Sequence, residues 1–79
     1  MDYTENLSKF IKYKREKSRL SLNKFCIESK IETSSLSRYE TRKRIPSVIS
    51  LVKIAKFYNQ SLSEFLKEYE EFLNDKKNS

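Results

Sequence analysis

The sequence predicts an all-α fold of five helices in one small domain. Two features of composition point there. Among 79 residues there is no glycine and a single proline, Pro46, whereas hairpins usually need glycine or asparagine at their turns. Leucine, lysine and glutamate, all good helix formers, are frequent. The third observation is periodicity, because apolar residues recur at three- and four-residue steps along most of the chain. A chain of this length buries about 60% of its unfolded surface, so the core has to be efficient.

The first helix is predicted over residues 3–17. Asp2 is placed to cap it, with Glu5 three residues on as in a capping box. Leu7, Phe10 and Ile11 form its apolar stripe. The second begins after Ser21, a good N-cap, reaches about residue 29, and turns Phe25 and Cys26 inward. The third covers residues 33–41. Leu36 and Tyr39 share one side of it, and Ile31 anchors the preceding turn. Serines 34, 35 and 37 make this a poor helix in isolation, so packing has to hold it. A short, serine-rich helix beside arginines makes most sense if its outer face meets a partner.

Pro46 and Ser47 open a fourth helix, in which Val48, Leu51, Val52, Ile54, Ala55 and Tyr58 form a dense apolar face. It is expected to be the most buried of the five. The fifth starts after Ser61, with Ser61 and Glu64 as a capping box, and carries Leu62, Phe65, Leu66, Tyr69, Phe72 and Leu73. From Asn74 the chain is polar and expected to fray. The domain therefore spans residues 1–74, with a polar tail over residues 75–79.

Seventeen basic and eleven acidic residues give a formal net charge of +6. Residues 1–60 carry fourteen basic and six acidic side chains, net +8, while residues 61–79 carry three and five, net −2. A basic body with a mildly acidic end suggests a polyanionic partner for the body.

Several chemistries are excluded. With no histidine, a Cys–His nucleophile pair is impossible, and one cysteine gives no metal-ligand spacing. Cys26 reads as a small buried hydrophobe. Without glycine there is no phosphate-cradling loop. Glu68, Glu70 and Glu71 read as a solvated helix face. No enzyme activity, cofactor or metal is expected. No apolar run is long enough for a membrane span, no signal peptide is apparent, and the lack of disulfides suits the cytoplasm.

The connection between the second and third helices is short enough to force a steep crossing, which makes a helix-turn-helix over about residues 22–41. In that unit the second helix enters the DNA major groove and offers its N-terminal residues to base edges. Those residues here are Thr33, Ser34 and, one turn on, Arg38.

Residues 20–66 resemble the Cro/repressor-type (XRE-like) helix-turn-helix regulators. Leu20-Ser21, a small residue at Cys26, Ile31, Leu36 and Glu40 carry the likeness. So do the basic loop Arg42-Lys43-Arg44, Pro46-Ser47, Lys53-Ile54-Ala55 and Ser61-Leu62-Ser63-Glu64. The resemblance implies a lambda-repressor-like fold and a transcriptional regulator that acts as a homodimer on near-palindromic double-stranded DNA. It assigns Thr33, Ser34 and Arg38 to bases, and Ser35 and Thr41 to phosphates. Arg42, Lys43 and Arg44 lie where the next backbone strand would pass. Arg15 and Glu40 match a structural ion pair. Four residues depart from the family pattern. Lys30 and Arg42 stand where glycine is common, Leu22 where a glutamine often holds a phosphate, and Glu32 where serine or threonine caps the third helix. Glu28 and Glu32 would also repel DNA.

Two questions stay open at this level. The stripe Tyr69, Phe72, Leu73 is expected to form the dimer interface, the other option being that it folds back on the first helix. The alternative function is a protein-interaction module, such as the antitoxin partner of a toxin protein, and antitoxins of this fold often bind DNA as well.

Overall fold

The computed structural model describes the backbone of residues 3–78 and the side chains of residues 6–75. The expected first cap, Asp2 with Glu5, lies outside the residues so described. Five α-helices follow in order: α1 (Tyr3–Lys17), α2 (Leu22–Ser29), α3 (Thr33–Glu40), α4 (Val48–Phe57) and α5 (Leu62–Asn78). No strand occurs among the described residues. α1 packs on α3 and α5, and α2 packs on α3 and α4. α4 packs in turn on α5, so the helices enclose one core.

Helix starts are set locally. Ser21 accepts the Lys24 amide at 3.1 Å and Ser47 accepts the Ser50 amide at 3.1 Å. Ser61 and Glu64 form a reciprocal box, with the Ser61 amide donating to Glu64 Oε1 at 2.8 Å and the Glu64 amide donating to Ser61 Oγ at 3.2 Å. α3 lacks such a lock, because Glu32 makes no side-chain cap bond.

Helix ends follow one pattern. Arg19, Lys30, Arg42 and Asn59 sit at φ of 60°, 61°, 64° and 57°, just past α1, α2, α3 and α4. The amide after each donates five residues back: Leu20 to Arg15, Ile31 to Cys26, Lys43 to Arg38 and Gln60 to Ala55. This Schellman closure ordinarily uses glycine. In a chain without glycine each left-handed residue costs about 1 kcal/mol or more, less for asparagine.

The core takes one inward pair or trio from each helix: Leu7, Phe10 and Ile11; Phe25 and Cys26; Leu36 and Tyr39; Ile54 and Ala55; Phe65 and Tyr69. Phe10 is an aromatic hub, with ring centroids of Phe65, Tyr69 and Phe72 at 5.3, 5.3 and 5.1 Å. Beside it Lys14 is buried. Its ammonium lies 4.3 Å from the Tyr58 ring centroid and donates to Glu68 at 2.9 Å and Gln60 at 3.1 Å. Ring faces and a carboxylate together replace the water this cation loses.

Four expectations need correction. α4 is not the most buried helix, since only Ile54 and Ala55 among its side chains are fully buried while Val48 is 65% exposed. Val48 shares a side with Ala55, seven residues on, but it stands in the first turn of α4, two turns ahead of the covered stretch, and Val52 is only half-buried. The polar segment expected to fray from Asn74 is helical here, α5 continuing to Asn78 through residues that include neither glycine nor proline. Glu68 is not simply a solvated carboxylate, since its side chain, 41% exposed, is paired with Lys14 at 2.9 Å. Burial by itself pushes its pKa up, but hydrogen bonds from Lys14 and Gln60 and the Lys14 charge outweigh that and hold it lower than usual. Finally, Tyr69 has no exposed surface and cannot present itself to a second chain. Phe72 stacks on Phe10 and Tyr13 of its own chain, and Leu73 is half-buried against the core.

Candidate nucleic-acid interface

α3 is a two-sided element. Leu36 and Tyr39 face inward at 0% and 3% exposure, and the Tyr39 hydroxyl is hydrogen-bonded to Ser50 of α4 at 2.9 Å. Those anchors turn the rest of the helix outward. Thr33, Ser34 and Arg38 are exposed, and Ser35 and Ser37 are half-buried. Eight residues with a threonine and three serines would not hold a helix in water, so the buried pair is what keeps this polar face in place.

α1 fixes the far end of α3. Arg15 donates from Nε to Glu40 Oε2 at 2.8 Å and from Nη2 to Glu40 Oε1 at 2.9 Å, while Nη1 donates to the Leu20 carbonyl at 2.9 Å. The side chains are 13% and 7% exposed. The hydrogen bonds to Glu40 raise the Arg15 pKa against the opposing effect of burial. One guanidinium thereby ties α1, the entry to α2 and the end of α3.

Past α3 the chain turns through exposed Thr41, Arg42, Lys43 and Arg44. The Thr41 hydroxyl donates to the Ser37 carbonyl at 2.8 Å. The amides of Lys43 and Arg44 both donate to the Arg38 carbonyl, at 2.9 and 3.3 Å. The basic loop is thus bonded through its backbone to the residue at the centre of the exposed row. The positions singled out in the sequence therefore lie on one continuous element, α3 and its exit.

The unusual residues fit as follows. Lys30 and Arg42 take the left-handed backbone conformation that glycine favours. Leu22 is half-buried against the core, so it gains packing where a polar residue would reach outward. Glu28 and Glu32 are exposed. Burial pushes the Cys26 thiol up in pKa, which keeps it neutral.

Residues 11–65 match the family described as Helix-turn-helix (HTH_3), well over half of the chain. The chain belongs to the helix-turn-helix family. Its type is that of the XRE and Cro repressors. No curated protein and no solved structure matches. As a helix-turn-helix protein the chain has DNA as its implied partner, and the family is a DNA-binding rather than an enzymatic one. No helix among the described residues is long and apolar enough to cross a membrane.

Two features of this helix-turn-helix protein escape sequence reasoning. The Lys14–Glu68 pair joins residues 54 positions apart, and nothing local to either residue announces it. The exposed hydrophobics Ile45, Val48 and Ile49 read as core residues by type. The one available signal is spacing, since Val48, Val52 and Lys56 follow each other at four-residue steps and so share a face.

Proposed function

We propose that the protein is a sequence-specific regulator of transcription, a repressor that binds a near-palindromic operator as a dimer. The observation that carries this reading is the outward row Thr33, Ser34, Arg38 on a helix whose opposite side is locked by Leu36 and Tyr39. Thr33 and Ser34, in the first turn, and Arg38 read base edges in the major groove. Arg38 is suited to a bidentate contact with guanine, which discriminates by about 1–3 kcal/mol. Ser35, Thr41, Arg42, Lys43 and Arg44 contact phosphates on either side. One such helix reads too few bases for high specificity, so two domains on half-sites about 34–36 Å apart supply the rest. With Tyr69 internal, the dimer contact falls to the half-exposed edge of α5 at Phe72 and Leu73.

Fluorescence anisotropy on a duplex selected from random sequence, beside a scrambled duplex, tests the readout. Arg38→Ala is expected to weaken the selected duplex about 5- to 150-fold and the scrambled one little. Lys43→Ala is expected to weaken both equally and to lower the salt slope by about one. Equal behaviour of the two variants on both duplexes sinks the assignment. Leu73→Asp, with helicity checked by circular dichroism, is expected to halve the mass seen by light scattering. A wild-type chain that is already monomeric, on DNA as well as off it, removes the dimer.

A further inference from the structure

Among the described residues, three of the five large exposed hydrophobic side chains stand together where the basic loop runs into α4. Ile45, Val48 and Ile49 are 65%, 65% and 70% exposed. Along α4 the outward positions continue at helical spacing through half-buried Val52 to exposed Lys53 and Lys56. The outer face of α4 is therefore apolar in its first turns and cationic in its last. Past that end an open groove of about 380 Å³ lies between α2 and α4, lined by Lys30, Lys53 and Lys56, with Glu28 as its one carboxylate. At the other end stands the exposed loop Arg42-Lys43-Arg44.

We propose that this outer face of α4 docks an acidic amphipathic segment of another protein. Apolar side chains gathered in one patch mark a surface that gains by being covered. The charges on either side say what covers it. A partner with apolar residues for Val48, Ile49 and Val52 and carboxylates for the flanking cations meets complementary groups along its whole length. A second copy of the chain does not. Both ends of the strip are cationic, so parallel or antiparallel pairing of two such faces sets like charge against like charge. Val48, Ile49, Val52, Lys53 and Lys56 take no part in the DNA-reading row, so the proposal does not rest on that reading, although the loop Arg42-Lys43-Arg44 is common to both surfaces.

The test uses the full chain, isotopically labelled for amide NMR. The first probe is a synthetic amphipathic helical peptide of about 18 residues, with leucines along one side and glutamates flanking them. The second is the same peptide with lysine for glutamate. The third is phosphatidylglycerol vesicles, and the fourth is duplex DNA. The acidic peptide is expected to shift the amides of Val48, Ile49, Val52 and Lys53. Ile49→Glu is expected to weaken it about tenfold or more while leaving the melting temperature of the chain unchanged. Lys53→Glu is expected to weaken it as well. Four results would each overturn the proposal: no α4 shifts at millimolar peptide, equal binding of the lysine peptide, α4 shifts on vesicles or DNA in place of the acidic peptide, or self-association that Ile49→Glu abolishes.

Discussion

The Arg15 guanidinium grips both carboxylate oxygens of Glu40, at 2.8 and 2.9 Å, across 25 residues of chain. A planar fork matched to a carboxylate is geometry that lysine does not reproduce. Removing either partner leaves the other charged and largely out of water. Arg15→Ala and Glu40→Ala should each cost about 3 kcal/mol, read as a shift of the urea midpoint, and Arg15→Lys should recover little of it. DNA affinity should fall with stability, because α3 loses the hold on its C-terminal end. An Arg15→Lys variant as stable as wild type would show that charge alone is enough.

The left-handed residues offer stabilisation. Lys30→Gly and Arg42→Gly relieve a steric cost of about 1–2 kcal/mol each and add back about 0.5–1 kcal/mol of backbone entropy. A net gain of about 0.5–1 kcal/mol is expected for each, seen as a raised melting temperature. The two should part on DNA. Arg42→Gly removes a proposed phosphate contact and should bind more weakly while melting higher, whereas Lys30→Gly should bind as before.

α3 begins without a side-chain cap. Glu32→Thr supplies a hydroxyl for the exposed first-turn amides and should stabilise by about 1 kcal/mol. It also removes a negative charge next to Thr33 and Ser34, so DNA affinity should rise most at low salt. Stability that rises without any change in affinity would place Glu32 away from the phosphates.

Acid should weaken the fold through Glu68. Its folded-state pKa is held down, on balance, by Lys14 and Gln60. Its contribution is therefore complete above the unfolded-state value, about pH 4.5, and is lost as the pH falls through the lowered folded-state value. Glu64, lowered by its capping bonds to Ser61, acts in the same direction. Melting temperatures followed downward from about pH 7 should fall steeply in acid for wild type and more gently for Glu68→Gln. Parallel acid limbs would show that Glu68 is not the group responsible.

What the sequence revealed was local. Ser21, Ser47 and the Ser61–Glu64 box mark helix starts because a cap is settled within four residues. The outward row of α3 follows from the inward spacing of Leu36 and Tyr39. What it hid depends on orientation or distance. Val48 is apolar and on the same side of α4 as Ala55, but its place in the first turn leaves it uncovered. The α5 stripe has the same period whether it covers α1 or a second chain, and the Phe10 contacts settle the matter for Tyr69. Glycine-like backbone at Lys30 and Arg42 was legible from the family pattern, and asparagine at 59 is a type that tolerates it, whereas at Arg19 nothing in the residue type signals it. Lys14 looks like any surface lysine until Tyr58 and Glu68 close over it.

The three rings around Phe10 all belong to α5. During synthesis, α1 emerges from the ribosome long before any of them exists. Until residues 65–72 follow, Phe10 lacks these three rings, and among its neighbours α1 has only α3 to pack on. Fragments that end ahead of α5 should accordingly carry the whole helix-turn-helix segment without the packing that holds it in place.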